Sequence, residues 1–352
     1  MTQSRLLLFA LTTAAVTGAA QDAKPAAPAA PLRTVWDGKK GGWDLATADQ
    51  RKEIFAFNEG YKNFLKVARS AYFSTREMTR QAKAAGFVEF TAATQVKPGA
   101  RLIVNSRDRG LMLVVVGTEP MAGGVRVVAT HHDSSHLDLK ARPIYTSGNL
   151  AMFNTVEYGG IKHYQYANEP MALVGRVDTT DGKTVDVSIG VEEGDPVFVI
   201  PDNAPHSDSP LRSRTYQNVL ESEELDPVVA SIPTDGSLVA TVMKEMTTRY
   251  GIKEEDFVSG ELHLVPAARP ADVGIDRGLT GGYAQDDRLS SYCAGRAAID
   301  VKGTPKRTVV AYLTNHEESG SVNNTGARSQ FFNGAIGRLI AAQKGAGYSD
   351  ND

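Results

Sequence analysis

Residues 307–313 read "RTVVAYL", an apolar run without the polar alternation of a half-exposed strand. Such a run suits a strand covered on both faces, the situation of a mostly parallel sheet with helices packed on each side. It therefore directs the chain toward an α/β architecture. Ile54, Phe57, Tyr61, Phe64 and Ala68 recur at three- and four-residue spacing, which predicts an amphipathic helix over residues 49–70. Ser74 and Glu77 form an S-x-x-E capping pattern that opens a second helix, and Gly86 closes it. "RLIVN", "LMLVVVG" and "VRVVAT" then read as short strands.

The texture changes after residue 135. "ALVGRVDT", "TVDVSIG", "PVFVIP" and "GELHLVPA" read as strands, with one helix near residues 235–250. Helical spacing resumes in "RLSSYCAGRAAID", and a last helix is expected over about residues 328–344. These spacings predict an α/β domain made of residues 48–135 and 273–352, interrupted by a β-rich insert at 136–272.

The amino terminus carries a different message. "MTQSRLLLFALTTAAVTGAA" has Arg5, then an apolar stretch, then small residues, with Gly18 and Ala20 suited to a cleavage site. Residues 1–20 are expected to be a signal peptide and 21–47 an Ala/Pro-rich linker, which implies an exported, periplasmic protein without a membrane span in its mature form. A net charge of -3 excludes a broadly basic nucleic-acid surface. Cys293 is the only cysteine, so an internal disulfide and a cysteine-based metal site are both excluded. Any metal must be held by His, Asp and Glu, and Cys293 itself is expected as a small buried helix residue.

Three segments contain such donors. In "ATHHDSS", His131 follows a strand, and Asp133 two residues on can share its face and fix its tautomer; a polar turn is the plainer alternative. In "YAQDDRLSS", Asp286 and Asp287 precede a helix, where aspartate is an ordinary N-cap but where one carboxylate could also bridge two cations. In "LTNHEESGS", Glu317 and Glu318 can serve one site only where the strand breaks, a break assigned to Ser319–Gly320. One would bind metal and the other would accept a proton from water, against the alternative of a solvated acidic loop. His131 and the two glutamates each follow a strand at its carboxyl end, where open α/β sheets bind ligands. A set of imidazole and carboxylates suits zinc or manganese.

Together with "NTVEYGGIKHYQY", "ALVGRV", "VIPDNAPH", "DDRLSSYCA" and "NHEESGSVNNTGA", these segments occur in an order that resembles the M18 metallopeptidases, the aspartyl aminopeptidase family, over about residues 48–345. The resemblance implies a co-catalytic zinc exopeptidase with two Zn2+ per active site, Mn2+ or Co2+ being alternatives. It implies His131 as a ligand of one metal, Asp133 as its orienting carboxylate and Asp287 as the bridging carboxylate, with Asp286 one residue away as the rival. Glu317 would be the general base and Glu318 a ligand of the second metal. His206 matches a histidine that reaches into the neighbouring subunit's active site, the β-rich insert would dimerise, and the protein would form a homodimer or larger homo-oligomer. The substrate would be a peptide with a free N-terminus, with Asp or Glu as the preferred first residue. His132, His136, His163, His263 and His316 are expected to be structural.

In the family a further α/β segment supplies one more Asp and one more His ligand, whereas this sequence has no histidine after His316. The expectation is a C-terminally truncated, inactive chain in which each metal keeps two protein ligands. A deacylase or carboxypeptidase on the same two-metal scaffold, and a non-catalytic oligomerisation fragment, are the alternative readings.

Overall fold

The computed structural model describes residues 40–209, 211–216 and 219–345. The expected signal peptide and most of the linker lie outside the described residues. Two compact units divide the chain, Met1–Glu53 and Ile54–Asp352. The described part of the first holds a short helix, α1 (Gly42–Leu45), and the opening turn of α2 (Ala48–Val67). In the second unit Tyr61, Phe64 and Ala68 on the later turns of α2 are buried as expected, but Ile54 and Phe57 are 46% and 43% exposed. Only the carboxyl-terminal half of the predicted apolar stripe enters the core.

Helix α3 (Ala71–Ala84) starts one turn earlier than the S-x-x-E pattern indicates. Ser70 is the N-cap and accepts the Phe73 N–H, while Ser74 is fully buried inside the helix. Gly86, at φ 85°, follows the helix end as expected.

The first sheet contains β1 (Val88–Glu89), β2 (Arg101–Ser106), β3 (Gly110–Val115) and β4 (Arg126–His131), joined by a strand from much later in the chain. Its order is β1-β2-β3-β13-β4, where β13 is Val309–Thr314, the apolar run of the sequence. Alternate residues of β13 enter opposite cores. Ala311 and Leu313 pack with α2, α3 and α5 (Gln285–Ile299), and Val310 and Tyr312 pack with α6 (Phe331–Lys344). The strand is thus covered on both faces, as its composition demands. The sheet is mixed: β13 runs parallel to β4 but antiparallel to β3. The cause is local, since the short Arg107–Arg109 turn closes β2 and β3 into an antiparallel hairpin.

Strands between residues 136 and 266 form a second, fully antiparallel sheet. It is built from β5 (His136–Ser147), β6 (Leu150–Tyr158), β7 (Met171–Asp178), β8 (Thr184–Ile189), β9 (Val228–Ala230) and β10 (Glu261–Pro266). The order is β8-β7-β10-β5-β6-β9. Helix α4 (Leu238–Tyr250) packs Val242 and Met246 into its core. "PVFVIP" contributes only isolated bridges at Phe198, Val199 and Ile200, because the prolines at either end cannot donate to a ladder. A small ribbon, β11 (Ala271–Val273) with β12 (Leu279–Gly281), leads into α5. Cys293 lies in α5 as expected but is exposed, on the helix face opposite the buried Ser291, Tyr292 and Ala294. No described helix is long and apolar enough to cross a membrane.

Candidate metal centre

The parallel β4/β13 pair sets the centre. Thr314 is in register with His131, so the two strands deliver their carboxyl ends to the same edge. Beyond β13 the chain turns at His316, whose φ of 59° lies in the left-handed region, and Glu317 opens a single 3-10 turn, Glu317–Ser319. The break therefore falls before the glutamates, at His316, rather than after them at Ser319–Gly320. That early turn lets both glutamates serve one place.

Asp133 organises the result. It is 3% exposed, and its carboxylate accepts the backbone N–H of Glu317 at 3.3 Å, the backbone N–H of Glu318 at 3.2 Å and the Tyr158 hydroxyl at 2.7 Å. Burial alone would raise its pKa, but hydrogen bonds from His131 and Tyr158 hold it well below the usual carboxylate range. His131 Nδ1 lies 3.1 Å from the Asp133 carbonyl and 3.4 Å from Asp133 Oδ1. Both are acceptors, so Nδ1 carries the hydrogen and Nε2 points the other way.

Nε2 of His131 meets Asp286 Oδ1 at 3.0 Å and Glu317 Oε2 at 3.6 Å. The structure thus brings together His131, Asp133, Glu317 and Glu318, and of the aspartate pair it sets Asp286, not the expected Asp287, against the histidine. Asp286 faces the histidine, while Asp287 acts on it only through charge. The reason is that Asp286 and Asp287 do not continue the helix: their φ/ψ values of -90/111° and -122/33° are non-helical, and the kink turns Asp286 toward β4. His206 is not part of the cluster; it sits exposed in a turn of the second-sheet region.

Helix α5 locks this arrangement. Ser134 Oγ donates to the Asp286 carbonyl at 2.8 Å, Ser291 Oγ donates to the His131 carbonyl at 2.6 Å, and Arg288 Nε donates to the His132 carbonyl at 3.0 Å. His132 is fully buried beside the centre, and burial pushes its pKa down to about 4.

The residues fit a cation. Burial would lower the pKa of His131, yet Asp133, Glu317 and Asp287 raise it to about 9. In the neutral tautomer its Nε2 lone pair would face two carboxylates, so a positive charge is called for at that point. Gly159, at φ 74°, supplies the room: a Cβ there would stand 2.7 Å from Ser135 Oγ and 3.0 Å from Glu318 Cβ. The Y-G-G motif therefore acts through Tyr158, which holds Asp133, and Gly159, which makes space for Glu318. Sequence reasoning gave neither residue a role, although their position next to each other in a motif was the available signal. A second group, His136, Asp138 and His263, also has metal-ligand geometry among the described residues. Both histidines had been expected to be structural. The signal was present in "HLD", which repeats the H-x-D spacing of His131 and Asp133.

Comparison with known proteins identifies a family. The family model described as "Aminopeptidase I zinc metalloprotease (M18)" matches residues 64–351. A curated protein of Clostridium acetobutylicum, described as a probable M18 family aminopeptidase 1, is 35% identical over 86% of this chain and 67% of its own length. Its counterpart in Borrelia garinii is 33% identical over 89% of this chain and 69% of its own length. The crystal structure of an M18 family aminopeptidase from Thermotoga maritima superposes with a TM-score of 0.80 at 32% identity, covering 87% of this chain and 67% of that one. The strand-end imidazole, the carboxylates gathered on it and the mixed α/β scaffold that carries them belong together: this chain is a member of the M18 family of zinc aminopeptidases.

Proposed function

We propose that the His131 centre serves metal-dependent removal of the N-terminal residue from peptides, with Asp or Glu as the favoured first residue. The observation that carries the reading is the buried Asp133 carboxylate, which grips the backbone of both Glu317 and Glu318 and sets the Glu317 carboxylate against His131 Nε2. Zinc, when bound, supplies Lewis-acid polarisation of the scissile carbonyl. His131, Asp286 and Glu318 would hold it, with Asp286 in the role for which Asp287 was the expectation.

Glu317 has the placement of a general base. Its carboxylate is half-exposed yet within 3.6 Å of His131 Nε2, so it can take the proton of the attacking water and return it to the departing amine. Asp133 touches no substrate in this scheme; it orients His131 and the backbone that carries the base. His206 would act on a neighbouring subunit's site, and the six-stranded sheet of the 136–272 insert would form the dimer contact. Export through residues 1–20 belongs to the same proposal.

The test is zinc binding by the purified chain, followed by hydrolysis of aspartyl- and leucyl-naphthylamides with added Zn2+, Mn2+ or Co2+. Binding should fall in H131N and E318Q, and any hydrolysis should require metal, vanish in E317Q and spare N-acetylated substrates. Zinc binding unchanged by H131N and E318Q refutes the centre, and equal cleavage of acetylated substrates favours a deacylase.

A further inference from the structure

Next to the His131 centre, three other side chains converge. His136 and Asp138 are two residues apart on β5 and share a face of that strand. The β5/β10 register sets His263 directly across from Asp138. His136 Nε2 is 2.9 Å and His263 Nδ1 is 2.5 Å from the same atom, Asp138 Oδ1. One donor atom from each residue lies within 4.8 Å of the others. Both imidazoles are 7% exposed, and all three residues line a cavity of about 560 Å³.

Hydrogen bonding leaves this cluster short of one positive charge. His136 Nδ1 lies 2.8 Å from the Ser134 carbonyl, which can only accept, so the hydrogen sits on Nδ1. A neutral His136 then presents a lone pair at Nε2, directly against a carboxylate oxygen. That contact becomes attractive when His136 takes a second proton or when a cation stands between the two atoms. Charging a ring this deeply buried is unfavourable, whereas a divalent cation satisfies both imidazole lone pairs and the carboxylate together. The Nδ1–H···O=C bond of His136 is also the usual way a metal-binding imidazole is oriented.

Distances permit the ion. Around a tetrahedral zinc with bonds of about 2.0–2.1 Å, neighbouring donor atoms stand about 3.3 Å apart. Opening the observed 2.9 and 2.5 Å contacts to that spacing requires shifts below about 1 Å. The cavity leaves space for water as a fourth ligand. Two imidazoles and one carboxylate suit Zn2+ or Co2+ rather than Mg2+ or Ca2+.

We infer that His136, Asp138 and His263 form an additional binding site for a zinc-class divalent cation, separate from the His131 centre. The ion would pin β5 to β10. It would also fix the His136 ring, on which Tyr158 stacks at 4.5 Å before donating to Asp133. The site would therefore stiffen the support of the glutamate pair. This inference does not rest on the peptidase reading.

The test is Co2+ binding by the metal-free full chain, followed by its visible absorption and by elemental analysis of the bound ion. Wild-type protein should take up one equivalent more than H263N, with the intense absorption of a low-coordinate Co2+ ion. H131N should keep that equivalent. Its affinity should fall in H263N by more than the roughly 10–100-fold that losing an orienting partner costs. Equal uptake by wild type and H263N would overturn the inference. So would loss of the equivalent in H131N alone, which would assign the ion to the other centre. Should H263N fail to fold, nitrogen-15 spectra of the wild-type rings decide: zinc must shift His136 Nε2 and His263 Nδ1. A doubly protonated His136 that ignores zinc would also overturn it.

Discussion

The Tyr158 hydroxyl donates to Asp133 at 2.7 Å, joining the last residue of β6 to the carboxylate beneath the His131 centre. Asp133 is buried and charged, so each of its donors carries more weight than an ordinary surface hydrogen bond. Y158F should lower unfolding free energy by about 1.5–3 kcal/mol, measured by urea denaturation. An unchanged midpoint would mean that Asp133 finds another donor.

Metal-free protein should lose stability as pH rises from neutral. The folded-state pKa of His131 is raised to about 9, against an unfolded value near 6.5. A raised pKa means that the folded state binds the proton more tightly. The stabilisation is complete below about pH 6.5 and is lost as pH climbs through about 9. Thermal melts across this window should fall for wild type and flatten for H131N. Because zinc must displace the same proton, its affinity should rise over that interval.

Gly159 leaves the space in which Glu318 sits, and its φ of 74° disfavours any side chain. G159A should destabilise the fold by about 1–3 kcal/mol and weaken zinc binding as Glu318 is pushed aside. Calorimetric unfolding and zinc titration read the two effects separately. A folded variant with unaltered zinc affinity would remove Glu318 from the ligand set.

The two aspartates in the first turn of α5 should behave differently. Asp286 faces His131 Nε2 at 3.0 Å, and Asp287 does not. D286N should weaken zinc binding by more than about tenfold, with D287N showing a smaller loss. The reverse order would restore Asp287 to the bridging place.

Gly175 in β7 probes the second sheet independently of the metal. At φ 143°, a Cβ there would fall 1.9 Å from the Glu261 carbonyl oxygen across the β7/β10 ladder. G175A should cost about 3 kcal/mol or more in chemical denaturation. It would do so by forcing β10 away, and β10 carries His263.

Much of this molecule can be read from local pattern. The unbroken apolar run of β13 announces its two-sided burial, and the donors His131, Glu317 and Glu318 stand where strands end. What pattern does not carry is pairing between distant segments. The hairpin that makes the first sheet mixed is visible only as a short turn. Choosing Asp286 over Asp287 depends on a backbone kink that has no sequence signature. The His136–Asp138–His263 group needs a β5/β10 register joining residues 125 apart, so each of its histidines looks incidental when met alone. Exposed Cys293 and Ile54 show the converse limit, because helical spacing says which residues share a face but not whether another layer reaches it.

The pairing of Thr314 with His131 has a kinetic meaning as well. These residues are separated by the whole second sheet and α5, so their ladder must close a very long loop. Contacts of that range are slow to form. A slip of one residue would also turn His131 to the opposite face. The imidazole and the glutamates meet only in a chain that has already solved its hardest pairing. Uptake of zinc at His131 would thus serve as a clock for folding, marking the moment at which β4 and β13 find each other.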